Sequence, residues 1–87
     1  MARKEKLLLR TRNNQRDVRF SDLLMLVEAF GYVPIRQRPG SHRRYVHPAT
    51  GEYLNLQPDV HGKAKPYQVA QFLEQVDRRT MRQESDQ

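Results

Sequence analysis

The segment RQRPGSHRRYVHP, residues 36–48, carries the side chains best suited to chemistry on an anion. It holds four arginines and two histidines around a proline–glycine turn and contains no acidic residue. A histidine with an ordinary pKa near ~6.5 exchanges protons at neutral pH. Arginine binds phosphate through two parallel hydrogen bonds. These residue types therefore suit proton transfer by His42 beside a bound phosphate.

Each of these residues also has an ordinary structural interpretation. By spacing alone, a histidine beside a turn is more often a surface residue than a catalyst, and clustered arginines can be a solvated face. Lys63 and Lys65 precede a predicted helix whose N-terminus favours anions, although lysines also serve solubility. Tyr45 is suited either to stacking on a base or to packing against the sheet.

The distribution of charge indicates an anionic partner. The net charge is +6, and residues 1–19 hold seven basic residues against two acidic ones. Residues 20–60 are balanced, yet all four of their basic residues fall between residues 36 and 44. This pattern favours nucleic acid as the partner. A DNA-binding or accessory regulatory protein is a further alternative, suggested by charge alone.

Several classes of protein are disfavoured by what the sequence lacks. There is no cysteine, so neither disulfides nor thiolate metal sites are expected. The spacing of His42, His47 and His61 matches no common zinc pattern, and we expect no metal or cofactor. No apolar run approaches the ~18 residues of a membrane span or resembles a signal peptide core. The expected location is the cytoplasm, with no membrane partner.

Two helices and three strands are predicted from periodicity. An apolar stripe at helical spacing predicts a helix over residues 21–30, capped by Ser21 and ended by Gly31. A second stripe predicts a helix over residues 66–79, with Pro66 in its first turn. Three β-rich runs lie between them, and the second and third are joined by PATG, which suits a hairpin. The predicted core is Leu23, Leu26, Phe30, Leu54, Leu56, Phe72 and Leu73.

The order of these elements predicts an α+β fold. Two amphipathic helices need an apolar surface to cover, and a three-stranded antiparallel sheet with one apolar face supplies it. We therefore predict a two-layer α-β-β-β-α domain over residues 20–80. Residues 1–19 form a basic arm, in part helical by one or two turns, that is not required for the fold. Residues 81–87 form a polar tail that frays.

Several motifs together resemble a known family. The chain resembles the HicA-type toxins in these motifs: the run SDLLMLVEAFG, the GSH of residues 40–42, Tyr45, the His47–Pro48 pair and the segments NLQP and GKAKPYQV. HicA-type toxins are small mRNA interferases of bacterial toxin–antitoxin modules. The resemblance covers roughly residues 18–76. It implies an α-β-β-β-α fold like that of double-stranded-RNA-binding domains, in agreement with the periodicity.

The resemblance also implies an activity and its residues. It makes His42 the residue on which metal-independent RNA cleavage depends, whereas Arg43 stands where many members have a second histidine. It implies mRNA as substrate and a HicB-type antitoxin as partner, which we expect to cover His42 and the arginines. The basic arm would add electrostatic affinity for RNA. The alternative is an RNA-binding module of the same fold without catalysis. The expected RNA-binding residues are Arg36, Arg38, Ser41, Arg43, Arg44, Lys63 and Lys65.

Overall fold

The predicted order of helices and strands is present after residue 19. The computed structural model describes residues 3–35 and 42–85. The expected RNA-binding residues Arg36, Arg38 and Ser41, with the turn between them, lie outside the described residues. The elements in chain order are α1 (Arg3–Asn13), α2 (Phe20–Ala29), β1 (Val33–Pro34), β2 (Arg43–Val46), β3 (Tyr53–Leu56) and α3 (Pro66–Ser85). The predicted α-β-β-β-α fold is confirmed, with one helix added in front.

The three strands form one antiparallel sheet in the order β1-β2-β3. The β2–β3 hairpin closes where the His47 N–H donates to the Glu52 carbonyl at 2.8 Å and the Gly51 N–H donates to the His47 carbonyl at 2.7 Å. Gly51 has a φ of +77°, which favours glycine at this point of the turn. β1 lies at the edge, where the missing N–H of Pro34 is tolerated.

Both α2 and α3 cover the same face of the sheet. Leu54 and Leu56 of β3 are fully buried, and Tyr45 of β2 lies on the same inner face. The predicted core is confirmed apart from Phe30, which is half-buried at the end of α2, where its ring meets the edge of Phe72 at 5.8 Å. The helices contribute Leu23, Leu26, Val27, Val69, Phe72, Leu73 and Val76 to this core.

The ends of α2 are set differently. The prediction that Ser21 caps the helix is wrong, because α2 begins at Phe20 and Arg19 is the N-cap without a side-chain hydrogen bond. Instead, the Phe20 N–H donates to the carbonyl of Gly62, 3.1 Å away on a distant loop. The C-terminus is as predicted: Gly31 has a φ of +93°, and a Cβ there would lie 3.1 Å from His47 Nε2.

The N-terminal arm is a helix of three turns packed on the domain. Leu7 and Leu8 of α1 pack against the core, and Thr11 is only 3% exposed. Arg12 donates two hydrogen bonds, 2.6 and 3.2 Å long, to the carboxylate of Asp77 on α3. The sequence indicated only one or two turns, because its apolar run is short and shows little periodicity. The contacts with distant residues that hold the rest of the helix are not visible in the sequence. At the other end, α3 continues as helix to Ser85, past the start of the predicted tail at residue 81.

Candidate functional site

One face of the sheet is left uncovered by the helices, and alternate residues of the strands build it. Directly paired residues of antiparallel strands point to the same face. Because Leu54 and Leu56 face the helices, Tyr53 and Asn55 face the other way. Asn55 pairs with Arg44, whose carbonyl in turn accepts the N–H of Ile35 at 2.9 Å. We call this surface the open face; it comprises Val33, Ile35, His42, Arg44, Val46, Tyr53 and Asn55.

His42 lies at one end of the open face, immediately before β2. Its side chain is exposed, and Nδ1 is 3.3 Å from Oδ1 of Asn55. The two residues are diagonal neighbours, because Asn55 pairs with Arg44, two positions after His42. A carboxamide oxygen only accepts, so with this orientation of the Asn55 amide a neutral His42 ring donates from Nδ1 and has the lone pair of Nε2 free. The contact therefore favours the Nδ1–H tautomer of the neutral ring.

Asn55 is a site residue that sequence reasoning missed. The alternation in YLNL places Asn55 on the wet face of β3, but alternation alone does not say what lies opposite it. The pairing follows from the hairpin: with His47 bonded to Glu52, counting back along both strands sets Arg44 opposite Asn55. The sequence signal for this contact is the length of the PATG loop, because a four-residue loop fixes which residues of β2 and β3 are paired.

The two arginines after His42 lie on different faces of the sheet. Arg44 is exposed on the open face, and its guanidinium forms no ion pair within residues 3–35 and 42–85. Arg43 pairs with Leu56 and therefore points to the helix side, where it remains exposed at the end of the sheet. Of the two, Arg44 shares a surface with His42.

Tyr45 is a core residue and not a stacking platform. Its side chain is 3% exposed, and its hydroxyl donates to Glu28 Oε2 at 2.9 Å. Burial, followed by the hydrogen bond to Glu28 and the charge of Glu28, raises the pKa of Tyr45 to about 12, against a small opposing effect of Arg43. The interpretation of Tyr45 as a packing residue is correct, and its ring is not available to an RNA base.

Lys63 and Lys65 do not belong to the open face. The Lys63 ammonium is ion-paired and hydrogen-bonded to the carboxylate of Asp17, in the connection between α1 and α2. Lys65 is half-buried, and its carbonyl accepts the N–H groups of Gln68 and Val69 at the start of α3. The carboxylate of Asp17 therefore already balances the charge of Lys63.

Some of the charged residues beside α1 are also ion-paired. A groove of about 700 Å³ lies against α1 and the start of α2. It is lined in part by Arg10, which is 3.3 Å from Asp22, and by the Asp17–Lys63 pair. α1 itself contacts α2 and α3, which cover the other side of the sheet from His42. Neither this groove nor α1 therefore extends the surface that carries His42.

The other histidines have separate surroundings. His47 packs edge-on against Tyr32, with ring centroids 5.2 Å apart, and its Nδ1 accepts the Ala49 N–H. His61 is exposed in the loop held by Asp59. In the part of the chain that the structure describes, no three His, Asp or Glu side chains are grouped to hold a metal ion. Nor does any described helix have the length and apolar character needed to cross a membrane.

Comparison with known proteins identifies the family. The family model described as the HicA toxin of bacterial toxin–antitoxin systems matches residues 20–77. The match begins at α2, includes all three strands and most of α3, and leaves out α1. No curated protein and no solved structure matches the chain. A toxin of such a module acts with an antitoxin as its partner. The chain belongs to the HicA toxin family of bacterial toxin–antitoxin systems.

Proposed function

We propose that this toxin is an mRNA interferase: a metal-independent endoribonuclease that uses His42 and acts in the cytoplasm, where mRNA is found. The observation that supports the proposal most directly is the exposed His42 ring with Nδ1 3.3 Å from Asn55 Oδ1. Arg44, two residues along the same face, is available for a phosphate oxygen. A general base and a phosphate-binding cation on one accessible surface suit cleavage of an RNA strand that has no fixed shape.

The proposed chemistry uses the Nδ1–H tautomer of His42. Nε2 removes the proton of a ribose 2′-hydroxyl, and the 2′-oxygen attacks the adjacent phosphorus. The bond from phosphorus to the 5′-oxygen breaks, that oxygen takes a proton from water, and the hydroxide formed takes the proton from Nε2. The products are a 2′,3′-cyclic phosphate and a 5′-hydroxyl. Arg44 stabilises the negative charge that accumulates on the phosphorane oxygens.

We further propose that the partner is a HicB-type antitoxin that covers the open face. Covering His42 would block the 2′-hydroxyl from reaching Nε2. Acidic groups of the antitoxin would complement Arg44 on this face and Arg43 at the end of the sheet, which favours rapid association.

The proposal is tested by incubating the purified full-length protein with single-stranded RNA in the presence of EDTA. We expect cleavage to persist, because His42 and Arg44 supply the base and the charge, and we expect mass spectrometry to find 2′,3′-cyclic phosphate ends. Intact RNA would contradict the proposal. RNA that is bound but left uncut would instead support the RNA-binding module, which Arg43 in place of a second histidine favours.

The role of Asn55 is testable separately. Replacing it by alanine removes the acceptor for Nδ1–H, and a hydrogen bond of ~1 kcal/mol corresponds to a loss in kcat of roughly 5- to 10-fold. In ¹⁵N spectra of the neutral His42 ring, we expect the preference for the Nδ1–H tautomer to disappear. Asn55→Asp keeps an acceptor oxygen, so it should keep the tautomer and kcat while its charge raises KM for RNA.

A positioning role predicts that the tautomer and kcat change together. If Asn55→Ala retained both the Nδ1–H tautomer and kcat, Asn55 would have no role in positioning His42. Asn13, an exposed asparagine on α1, provides the control, and Asn13→Ala should leave both quantities unchanged.

A further inference from the structure

An aromatic side chain lies uncovered on the open face. Tyr53 is 45% exposed, although its neighbours Leu54 and Leu56 on β3 are fully buried. It pairs with Val46, which pairs with Val33, and Val33 is itself 43% exposed. An apolar row thus crosses all three strands on the same face as His42. Nothing in the mechanism above uses this row.

The backbone under Tyr53 is firmly held from the other side of the sheet. Its carbonyl accepts a hydrogen bond from Gln75 Nε2 at 3.2 Å. The amide oxygen of Gln75, which is 8% exposed, accepts from the Tyr32 hydroxyl at 2.5 Å. Because strand β3 is anchored to α3 in this way, the Tyr53 ring is presented on a rigid support. A tyrosine side chain also has only two rotatable torsions, so it loses little conformational entropy when a ligand stacks on it.

The spacing across the open face suits a nucleic acid strand. Tyr53 lies opposite Val46, four residues along the chain from His42, and four residues span ~13.6 Å in an antiparallel strand. That distance equals about four nucleotide rises of a stacked strand. A base about four nucleotides from the phosphate at His42 can therefore reach the Tyr53 ring, while the backbone between them passes Arg44.

We infer that Tyr53 is a base-stacking subsite for single-stranded RNA, which crosses the open face from the apolar row to His42. The inference rests on the proposed function and names the part of the substrate that this row binds. Unpaired bases stack on aromatic side chains, whereas bases in a duplex are already stacked. The open face carries Arg44 and no acidic residue, so its charge also complements an RNA strand.

Tryptophan fluorescence provides a direct test, because the chain contains no tryptophan. Tyr53→Trp is prepared with His42→Ala, so that bound RNA is not cut, and a single-stranded RNA oligonucleotide is titrated. We expect strong, saturable quenching, and we expect the Kd fitted to it to equal the Kd obtained by fluorescence anisotropy. The matched control is Tyr67→Trp, also with His42→Ala, since Tyr67 is 66% exposed on α3. That control should show little quenching.

Affinity gives the second measurement. In the His42→Ala protein, Tyr53→Ala should weaken binding of the RNA by about 5- to 150-fold, the loss that one base–aromatic stack produces. Tyr53→Phe should retain the affinity, because the stacking ring remains, and Tyr67→Ala should also retain it.

The inference is overturned if Tyr53→Ala binds RNA as tightly as its parent, or if Tyr67→Trp is quenched equally. It is also overturned if Tyr53→Ala weakens only the complex with the antitoxin, since the row would then be a protein interface. These readouts do not depend on cleavage. If the wild-type protein left RNA uncut while the Tyr53→Trp protein was still quenched, the catalytic proposal would be contradicted and this subsite would remain supported.

Discussion

Substitution of His42 by alanine is expected to lower RNA cleavage by about 10²–10⁴-fold, the contribution of a positioned general base. Growth inhibition by the toxin should be lost with it. The ring is exposed and contributes little packing, so the free energy of unfolding should change by less than ~1 kcal/mol. RNA binding should persist, because Arg44 and Tyr53 are untouched. Cleavage assays, anisotropy and urea unfolding measure the three quantities.

The matched control for this experiment is His61→Ala. His61 is also exposed, but it lies in the loop held by Asp59 and is not on the open face. We expect its cleavage rate to equal that of the wild type. If His42→Ala cut RNA as fast as the wild type, His42 would not be the base. Equal losses of cleavage rate in His42→Ala and His61→Ala would show that the loss is not specific to the open face.

Replacing Arg79 by methionine should destabilise the fold by on the order of 3 kcal/mol, because it leaves a largely buried carboxylate without its main partner. Arg79 Nη1 is 2.5 Å from Glu52 Oε1 and 3.0 Å from the Tyr32 hydroxyl. The side chains of Arg79 and Glu52 are 15% and 14% exposed. This pair joins α3 to the β2–β3 hairpin, so its loss should lower the free energy of unfolding of the whole domain. Urea unfolding followed by circular dichroism measures the change.

A double-mutant cycle separates the pair from its surroundings. Removing both charges with Arg79→Met and Glu52→Gln should recover part of the lost stability, since no unpaired charge remains. The control is Arg78→Met, because Arg78 is 52% exposed and makes a surface pair with Glu74, while its ion pair with Glu52 is longer, at 3.6 Å, than the one that Arg79 makes. Its cost should stay below ~1 kcal/mol. Equal costs for Arg78→Met and Arg79→Met would show that burial of the Arg79 pair is unimportant.

The same pair predicts a response to acid. Burial alone would raise the pKa of Glu52, but hydrogen bonds from Arg79 and Thr50 and the charges of Arg79 and Arg78 outweigh it, so the pKa is lowered. A lowered pKa in the folded state gives stability that is present above the unfolded value, ~4.3, and is lost as the pH falls through the folded value. We therefore expect stability to fall less steeply below pH ~4.3 in Glu52→Gln than in the wild type.

Local patterns were sufficient to predict the elements that surround the site. The apolar stripes of α2 and α3, the glycine that ends α2 and the alternation in β3 act over a few residues. Each of these features therefore has the same consequence wherever the rest of the chain lies. This is why Leu54 and Leu56 were correctly predicted to be buried and why three strands were predicted between two helices. The resemblance to the HicA family, and with it the expectation for His42, also comes from sequence motifs within roughly residues 18–76.

Contacts between distant residues decided what local patterns could not. The start of α2 depends on Gly62, and the full length of α1 depends on Asp77 and the core, neither of which its own short apolar run reveals. Strand register decided that Arg44 shares the open face with His42 while Arg43 does not. Register also brought Asn55 to His42, although 13 positions separate them in the sequence. A strand's own sequence determines which residues share a face, but only pairing with its neighbour determines which side chains meet.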